Sequence, residues 1–376
     1  RGKIMRIRVK DDGTYEIPEG NLFPKGEANT RPEIYVMGNR NPYRISVDQK
    51  NSFLYWGEVG PDASDDSLNT RGPRGYDEIN QARKAGYFGW PLFVGNNYAY
   101  RNYNYETGES GEAYDPAHPV NLSRNNTGLK DLPPAQPAFI WYPYGESKEF
   151  PLVGSGGRTA MAGPVFHSDD FKKAERSFPK YYDGKLLIYE WMRGWIMAVT
   201  LDKDGNYVSM DRFMPGYKFS NPMDMEFANN GDLYMLEYGS GWFTANDDAR
   251  LIRIEYNGGN RNPSIKIASD KMGGSLPFTA SLSSKGTKDA DGDTLSYSWK
   301  ITSKNGYAKT INEPEANLTL TKAGIYKATL TVKDSKGGVS AQSMELTAGN
   351  EPPVISFDLG KSNKTFYVPN KTYNYK

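Results

Sequence analysis

There is no cysteine among the 376 residues. Structural disulfides, thiol catalysis and zinc–cysteine sites are excluded, while the compartment stays open because a cysteine-free chain suits either redox state. Excess charge is missing as well: 46 basic against 45 acidic residues leave a net +1. That balance gives no electrostatic case for nucleic acid or for an anionic membrane surface. Long apolar runs are absent, and none approaches the ~18–20 residues of a spanning helix. Helical periodicity is nearly lacking, and its best stretch, 168–175, is enough for about one or two turns. Histidine is reduced to His118 and His167, and both read as loop or surface residues rather than catalytic ones. No secretory signal opens the sequence. The chain starts inside an alternating pattern, Lys3-Ile4-Met5-Arg6-Ile7, and stops inside another, Tyr373-Asn374-Tyr375-Lys376. An interior piece of a longer protein is therefore expected.

What is present is aromatic and rich in turns. Aromatic residues make up 13% of the chain, led by 27 Tyr, beside 39 Gly and 24 Pro. This composition favours short strands joined by many turns. A Tyr-rich β core and a Tyr-rich surface for carbohydrate are both compatible with it. One local shape recurs: a turn, a hydrophobic strand, then an acid. It runs from Lys50 to Glu58, from Asp183 to Glu190 and from Asn230 to Glu237. Tyr189 and Tyr234 in the last two copies are 45 residues apart, which is the length of a propeller blade. Asp183-Gly184 and Asn230-Gly231 are hairpin turns that need positive φ, and Asp202-Lys203-Asp204-Gly205-Asn206 joins two more strands in the same way. Residues 1–256 therefore read as several β-propeller blades, short of a full circle. Between 92 and 150 the pattern gives way to polar, aromatic and Pro-rich sequence. A connection of that length is either a functional segment or lid, or an insertion packed on the rim.

At Asn257-Gly258-Gly259-Asn260-Arg261-Asn262-Pro263 the composition changes, which marks a linker over 257–263. Short alternating strands rich in Thr, Ser and Lys follow over 264–348. Their regular spacing, with Trp299 in a central one, predicts a small β-sandwich. A second break, Gly349-Asn350-Glu351-Pro352-Pro353, leads into Val354-Ile355-Ser356-Phe357. Residues 349–376 thus read as a linker and the first strand of a further module.

A series of pieces in the first segment resembles the soluble quinoprotein glucose/sorbosone dehydrogenase family. They are Ile4-Met5-Arg6-Ile7 before Asp11-Asp12-Gly13, Pro32-Glu33-Ile34-Tyr35, Gly38-Asn39-Arg40-Asn41-Pro42, Gly60-Pro61, Asp77-Glu78-Ile79-Asn80 and Gly89-Trp90-Pro91. The resemblance covers roughly 1–256 and implies blades of a six-bladed-type propeller that binds pyrroloquinoline quinone (PQQ) and calcium. A quinone tricarboxylate needs guanidinium and amide donors, which Arg40 and Asn41 would supply. Calcium needs hard oxygen ligands. The resemblance implies the carbonyls of Gly60 and Pro61 for one ion and the pair Asp77 and Glu78 around a further one. The alternative for Arg40, Asp77 and Glu78 is that they bridge adjacent blades. The family's proton-accepting His falls before residue 1, so the catalytic residue within this chain is unknown. The family's late-blade cations align near Met192, Asn221 and Met223, which leaves Arg158 and Arg193 to compensate as cofactor-binding residues.

The second segment resembles a PKD (polycystic-kidney-disease-type) domain through Asp289-Ala290-Asp291-Gly292-Asp293-Thr294-Leu295-Ser296-Tyr297-Ser298-Trp299, Ala323-Gly324-Ile325-Tyr326 and Leu330-Thr331-Val332-Lys333-Asp334. Asp289, Asp291, Asp293 and Asp334 either gather oxygens around calcium or form a solvated Asx-turn hairpin tip. Such modules are spacers or adhesion units of secreted and surface proteins. The two resemblances together imply a PQQ- and calcium-dependent sugar (aldose) dehydrogenase-like protein outside the cytoplasm, whether periplasmic, on the outer-membrane surface or secreted. Its partners would be a sugar or glycan, a separate electron acceptor and other chains of a surface assembly. The alternative is a non-catalytic propeller that binds carbohydrate or protein in a cell-surface complex.

Overall fold

Strand Leu186–Glu190 is buried at every position, and successive residues of a strand point to opposite faces. Leu186 and Ile188 enter one apolar cluster with Tyr55, Ile79 and Met197, whereas Leu187 and Tyr189 enter a second with Ile196, Met225 and Met235. The sheet that carries this strand is therefore covered on both sides, as a propeller blade between two neighbours must be. The structure is a computed structural model that describes residues 2–174 and 176–350. The predicted strand of a further module lies outside the described residues. The chain divides into two compact units after Tyr256.

In the first unit the covered blade orders its strands Ala160–Val165, Leu186–Glu190, Trp195–Leu201 and Tyr207–Phe213. The blade before it orders Pro42–Val47, Leu54–Glu58, Asp77–Ala82 and Ile140–Tyr142. The blade after it has Pro222–Phe227, Leu233–Glu237 and Arg250–Ile254. Every pairing within these three sheets is antiparallel. Two of the predicted turns close hairpins: Asp202 accepts the amides of Asp204 and Asn206, both at 2.8 Å, and Gly205 and Gly231 have φ +80 and +86. Asp183-Gly184 has the expected positive φ at Gly184 but ends the long connection between Ala160–Val165 and Leu186–Glu190 instead of a tight hairpin. A further sheet joins Lys3–Met5, Ile34–Met37 and Gly86–Tyr87. The first two blades approach through Gly57, where a Cβ would lie 1.9 Å from the Ala160 carbonyl oxygen; only glycine admits that contact.

The helical pattern at 168–175 yields a single 3-10 stretch, Ser168–Phe171. The residues after Pro91 form short two-stranded ladders, Phe93–Val94 with Tyr98–Ala99 and Arg101–Tyr103 with Ser110–Ala113. His167 lies in the loop before Ser168, as expected, but not on the surface. Its ring nitrogen Nε2 lies 2.7 Å from Asp48 Oδ1, and the pair is largely buried. His118 is exposed, 3.0 Å from Asp115.

The second unit is a two-sheet sandwich. One sheet orders Ala268–Ser269, Phe278–Ser283 and Glu315–Leu320; the other orders Gly273–Gly274, Val339–Ala348, Gly324–Asp334, Leu295–Ser303 and Ala308–Ile311. Alternate residues of Phe278–Ser283, Glu315–Leu320 and Gly324–Asp334 face inward, and Trp299 sits in the core with Phe278, Leu320, Tyr326 and Leu330.

Candidate functional site

The acid that ends each copy of the recurring pattern has one job in all three blades. Glu58, Glu190 and Glu237 stand directly across the ladder from Pro42, Ala160 and Pro222, the first residues of their blades. Each carboxylate turns back onto the backbone that leads into that strand. Glu58 Oε1 accepts the amides of Arg40 and Asn41, the latter at 2.7 Å. Glu190 accepts those of Thr159 and of Arg193, the latter at 2.5 Å. Glu237 accepts that of Ser220 at 2.8 Å. Backbone donors at these entry points have no ladder partner, and a carboxylate satisfies them with a charge-assisted bond. The acids are therefore clasps that hold the entry loops on one rim of the blades.

On this rim the first clasp gathers the predicted residues. Arg40 donates Nη1 to the Val59 carbonyl at 3.0 Å, and the Val59 amide donates to the Asn41 carbonyl at 3.1 Å. Gly60 and Pro61 follow directly, so Arg40-Asn41 and Gly60-Pro61 lie side by side. A Cβ on Gly60 would lie 1.7 Å from the Tyr76 carbonyl oxygen, so the turn keeps this path only with glycine. The remaining candidates are placed differently. Arg158 is buried, pairs with Asp77 at 3.0 Å, donates to the Pro61 carbonyl at 2.8 Å and lies over the Tyr144 ring at 3.8 Å. Arg193 spends its guanidinium on the carbonyls of Gly157, Val153, Gly154, Pro143 and Gly156. Neither is a free cation, and Met192 beside Arg193 is exposed.

Asp77 and Glu78 are neighbours on one strand and so point to opposite faces. Asp77 accepts the amides of Gly60 and Ala160, whereas Glu78 accepts from Gly95 at 2.5 Å and Asn80 at 2.9 Å. The pair therefore does not converge on one ion. The Asp77 side bridges blades, and only Glu78 faces the 92–150 segment, where Asn80 Oδ1 and the Tyr100 hydroxyl are buried without a partner. Burial pushes all these carboxyls up: Glu58 to about 8, with Glu78 opposite adding repulsion, Glu78 and Glu190 to about 7, and Asp77 to about 6 despite Arg158.

For a quinone tricarboxylate the fit is partial. Arg40 and Asn41 are exposed on the rim, and Arg40 is held only by Val59 and by Asp62 at 3.7 Å, which suits one carboxylate. Arg158 and Arg193 do not complete the cradle. Both histidines lie away from this rim: His167 bonds Asp48, in the turn at the far end of the first blade, and His118 is in the exposed insertion. Sequence reasoning saw the strand-end acids without their role; their recurrence before each new turn was the available signal.

In the second unit Asp289, Asp291 and Asp293 each bring a carboxylate oxygen within 4.8 Å of the others. Asp289 Oδ2 and Asp293 Oδ2 are buried without a hydrogen-bond partner. Arg261 pairs with Asp291 at 2.6 Å, and Lys336 with Asp293 at 3.2 Å. Asp334 is not one of the group. It accepts the amides of Lys336 and Gly338 and the side chain of Asn260, which caps its own turn.

Fold and motifs together define propeller blades followed by an Ig-like sandwich, and the described residues are nearly all β, with 41% strand and 3% helix. The glucose/sorbosone dehydrogenase family model matches residues 1–130 and the PKD domain model matches 267–344. The chain thus carries a glucose/sorbosone dehydrogenase-type region followed by a PKD domain. Among similar proteins is aldose sugar dehydrogenase YliI of Escherichia coli (strain K12), 38% identical over 26% of this chain and 22% of that protein. Quinoprotein glucose dehydrogenase B of Acinetobacter calcoaceticus is 24% identical over 58% of this chain and 44% of its own length. The PQQ-bound aldose sugar dehydrogenase of Streptomyces coelicolor aligns at 15% identity and a TM-score of 0.36, over 68% of this chain and 52% of that one. Each alignment covers well under two thirds of the relative. No helix among the described residues is long and apolar enough to cross a membrane.

Proposed function

We propose that the chain belongs to a sugar-oxidising protein of the aldose dehydrogenase type that works outside the cytoplasm, with its PKD unit as a calcium-holding spacer. The observation that carries the reading is the rim where the Glu58 clasp sets Arg40 and Asn41 beside Gly60 and Pro61. The chemistry that a bound PQQ supplies is acceptance of a hydride from a sugar carbon, with a separate acceptor taking the electrons on. Arg40 would bind one carboxylate of that group, with Asn41 adding an amide, and Glu58 fixes the backbone of both. On this unit the Pro61 carbonyl already accepts from Ala63 and Arg158, and Glu78 from Gly95 and Asn80, so calcium there would have to displace those donors. The Asp289, Asp291 and Asp293 group, with two unpaired oxygens, is the candidate for calcium on the PKD unit.

The test is to add PQQ and calcium to the full-length protein and to follow dye reduction with a panel of aldoses. Reduction that needs sugar, PQQ and calcium together is expected. Absence of both cofactor binding and dye reduction would overturn the enzymatic reading. A second reading, a non-catalytic propeller that binds sugar, draws on the neutralised Arg158, the committed Arg193 and the exposed Met192. Sugar binding without dye reduction would select it.

A further inference from the structure

The segment between the Trp90-Pro91 turn and Asp131 is not spent on the rim just described. It walls two adjoining cavities of about 940 and 1060 Å³, which share Trp90, Pro91, Leu92, Asn121, Ser123 and Asn125. The first ends at Arg40, and the second continues past Tyr100 to Tyr103 and Tyr105. Their chemistry is uneven. Among the described residues no carboxylate lines the first cavity, whereas Lys3, Arg31 and Arg40 do. In the second, Arg71, Arg101 and Arg124 line the wall with Asp65 and Glu106 as the carboxylates among the described residues. Arg101 is held by the Leu68 and Gly111 carbonyls, and Arg124 lies 3.9 Å from Glu106.

The walls also offer flat rings. Trp90 meets Tyr100 edge-on at 6.2 Å, and Tyr103 meets Tyr105 at 5.1 Å. Arg71 lies over both Tyr103 and Tyr105, at 4.2 and 5.0 Å. Tyr105 is 79% exposed, so its ring is open to a ligand. At the other end Asn39, a residue only 4% exposed, lines the first cavity with neither side-chain amide atom hydrogen-bonded. A buried amide with no partner is costly, and a polar ligand in the cavity would satisfy it.

We infer that this trough binds an acidic oligosaccharide, a chain bearing uronate or sulfate groups, from Asn39 and Arg40 past Trp90 to Tyr105. Aromatic faces stack on sugar rings, amides read hydroxyls, and the guanidinium excess selects anionic groups. As a statement of substrate class this rests on the sugar-oxidising reading; as a statement of binding it stands alone. It would make the natural ligand a polymer segment whose end reaches the Arg40 rim.

The experiment is isothermal titration of the full chain, without cofactor, with tetragalacturonate, with a neutral galactan tetramer and with a sulfated galactan tetramer. Tetragalacturonate or its sulfated counterpart is expected to bind about tenfold or more tighter than the neutral chain at low salt, with the preference shrinking as salt screens it. Whichever anion binds better identifies the charged group. Tyr105→Ala is expected to weaken all binding about fivefold or more, as loss of one stacking face implies. The double variant Arg31→Gln with Arg124→Gln, at two exposed positions, should weaken only the anionic ligands. Equal affinity for the neutral chain, no binding of any, or binding unmoved by these variants would overturn the inference. Aldose-dependent dye reduction without uronate binding would leave the sugar-oxidising reading intact, and uronate binding without dye reduction would do the converse.

Discussion

The two units use the same residue type in opposite ways. In the blades Glu58, Glu190 and Asp77 are buried, and each accepts backbone amides. At the tip of the PKD unit Asp289, Asp291 and Asp293 face one another, and two of their oxygens have no partner. A carboxylate with both oxygens matched to donors, as in Glu190 and Asp77, is complete and serves as structure. Glu58, by contrast, uses one oxygen for both its amides and keeps Oε2 buried without a partner. Carboxylates matched to each other are incomplete and call for a cation. The count of acids in a region therefore says less about ligands than the identity of their donors.

The largest effect that tests this contrast comes from removing a clasp. Glu190→Ala leaves the amides of Thr159 and Arg193 without their acceptor, and we expect a loss of about 3 kcal/mol in denaturant unfolding of the first unit. Glu190→Gln keeps an acceptor and should cost less. A loss no greater than that of an exposed substitution would show that the clasp is dispensable.

The next effect is a pH dependence with opposite signs in the two units. Glu58, Glu78, Glu190 and Asp77 are raised in the fold to about 8, 7, 7 and 6. Their protonated forms are favoured by folding, so their contribution is full below the ordinary carboxylate range. It is lost as pH rises through 6 to 8. The first unit is expected to lose stability steadily between pH 5 and 9. Asp291 is held low by its hydrogen bond to Arg261, so its contribution is present above the ordinary range and lost as pH falls through the folded value. Two calorimetric transitions that shift in the same direction over pH 3 to 9 would contradict the contrast.

Much of this architecture was legible in the sequence because it is local. Turn, strand and acid repeat within about nine residues, and Asp289 to Trp299 announces the sandwich with its buried Trp. What was not legible depends on partners far along the chain. Arg158 meets Pro61 across 97 residues, and Arg193 reaches five carbonyls of a loop that no periodicity marks. Adjacent acids look like a shared site in one dimension, yet strand alternation sends Asp77 and Glu78 to different faces. Asp334 resembles its fellow aspartates until its turn closes on it.

Calcium is the third lever. At about ten times its dissociation constant it should raise the unfolding midpoint of the second unit by a few degrees, and Asp289→Asn with Asp293→Asn should abolish the shift. The same addition should leave the Glu190 clasp untouched, since its oxygens are already bonded. A shift that survives the double variant would place the ion elsewhere.

The smallest effect on stability carries the sharpest argument. Arg261 is exposed and grips Asp291 through Nε, Nη2 and its own amide, while Lys336 sits on Asp293. Exposed ion pairs contribute little to folding, so Arg261→Gln should leave the calcium-free midpoint nearly unchanged. Its effect on the ion should be larger, because the guanidinium occupies carboxylate oxygens that calcium needs and repels the incoming charge. If the three aspartates are a cation site, Arg261→Gln will tighten calcium several-fold and its benefit will fade at high salt. If they are an ion-paired hairpin tip whose shape depends on Arg261, the same change will leave calcium binding absent or weaker. Titration calorimetry on the wild type and this variant separates the two, because the predicted changes have opposite sign.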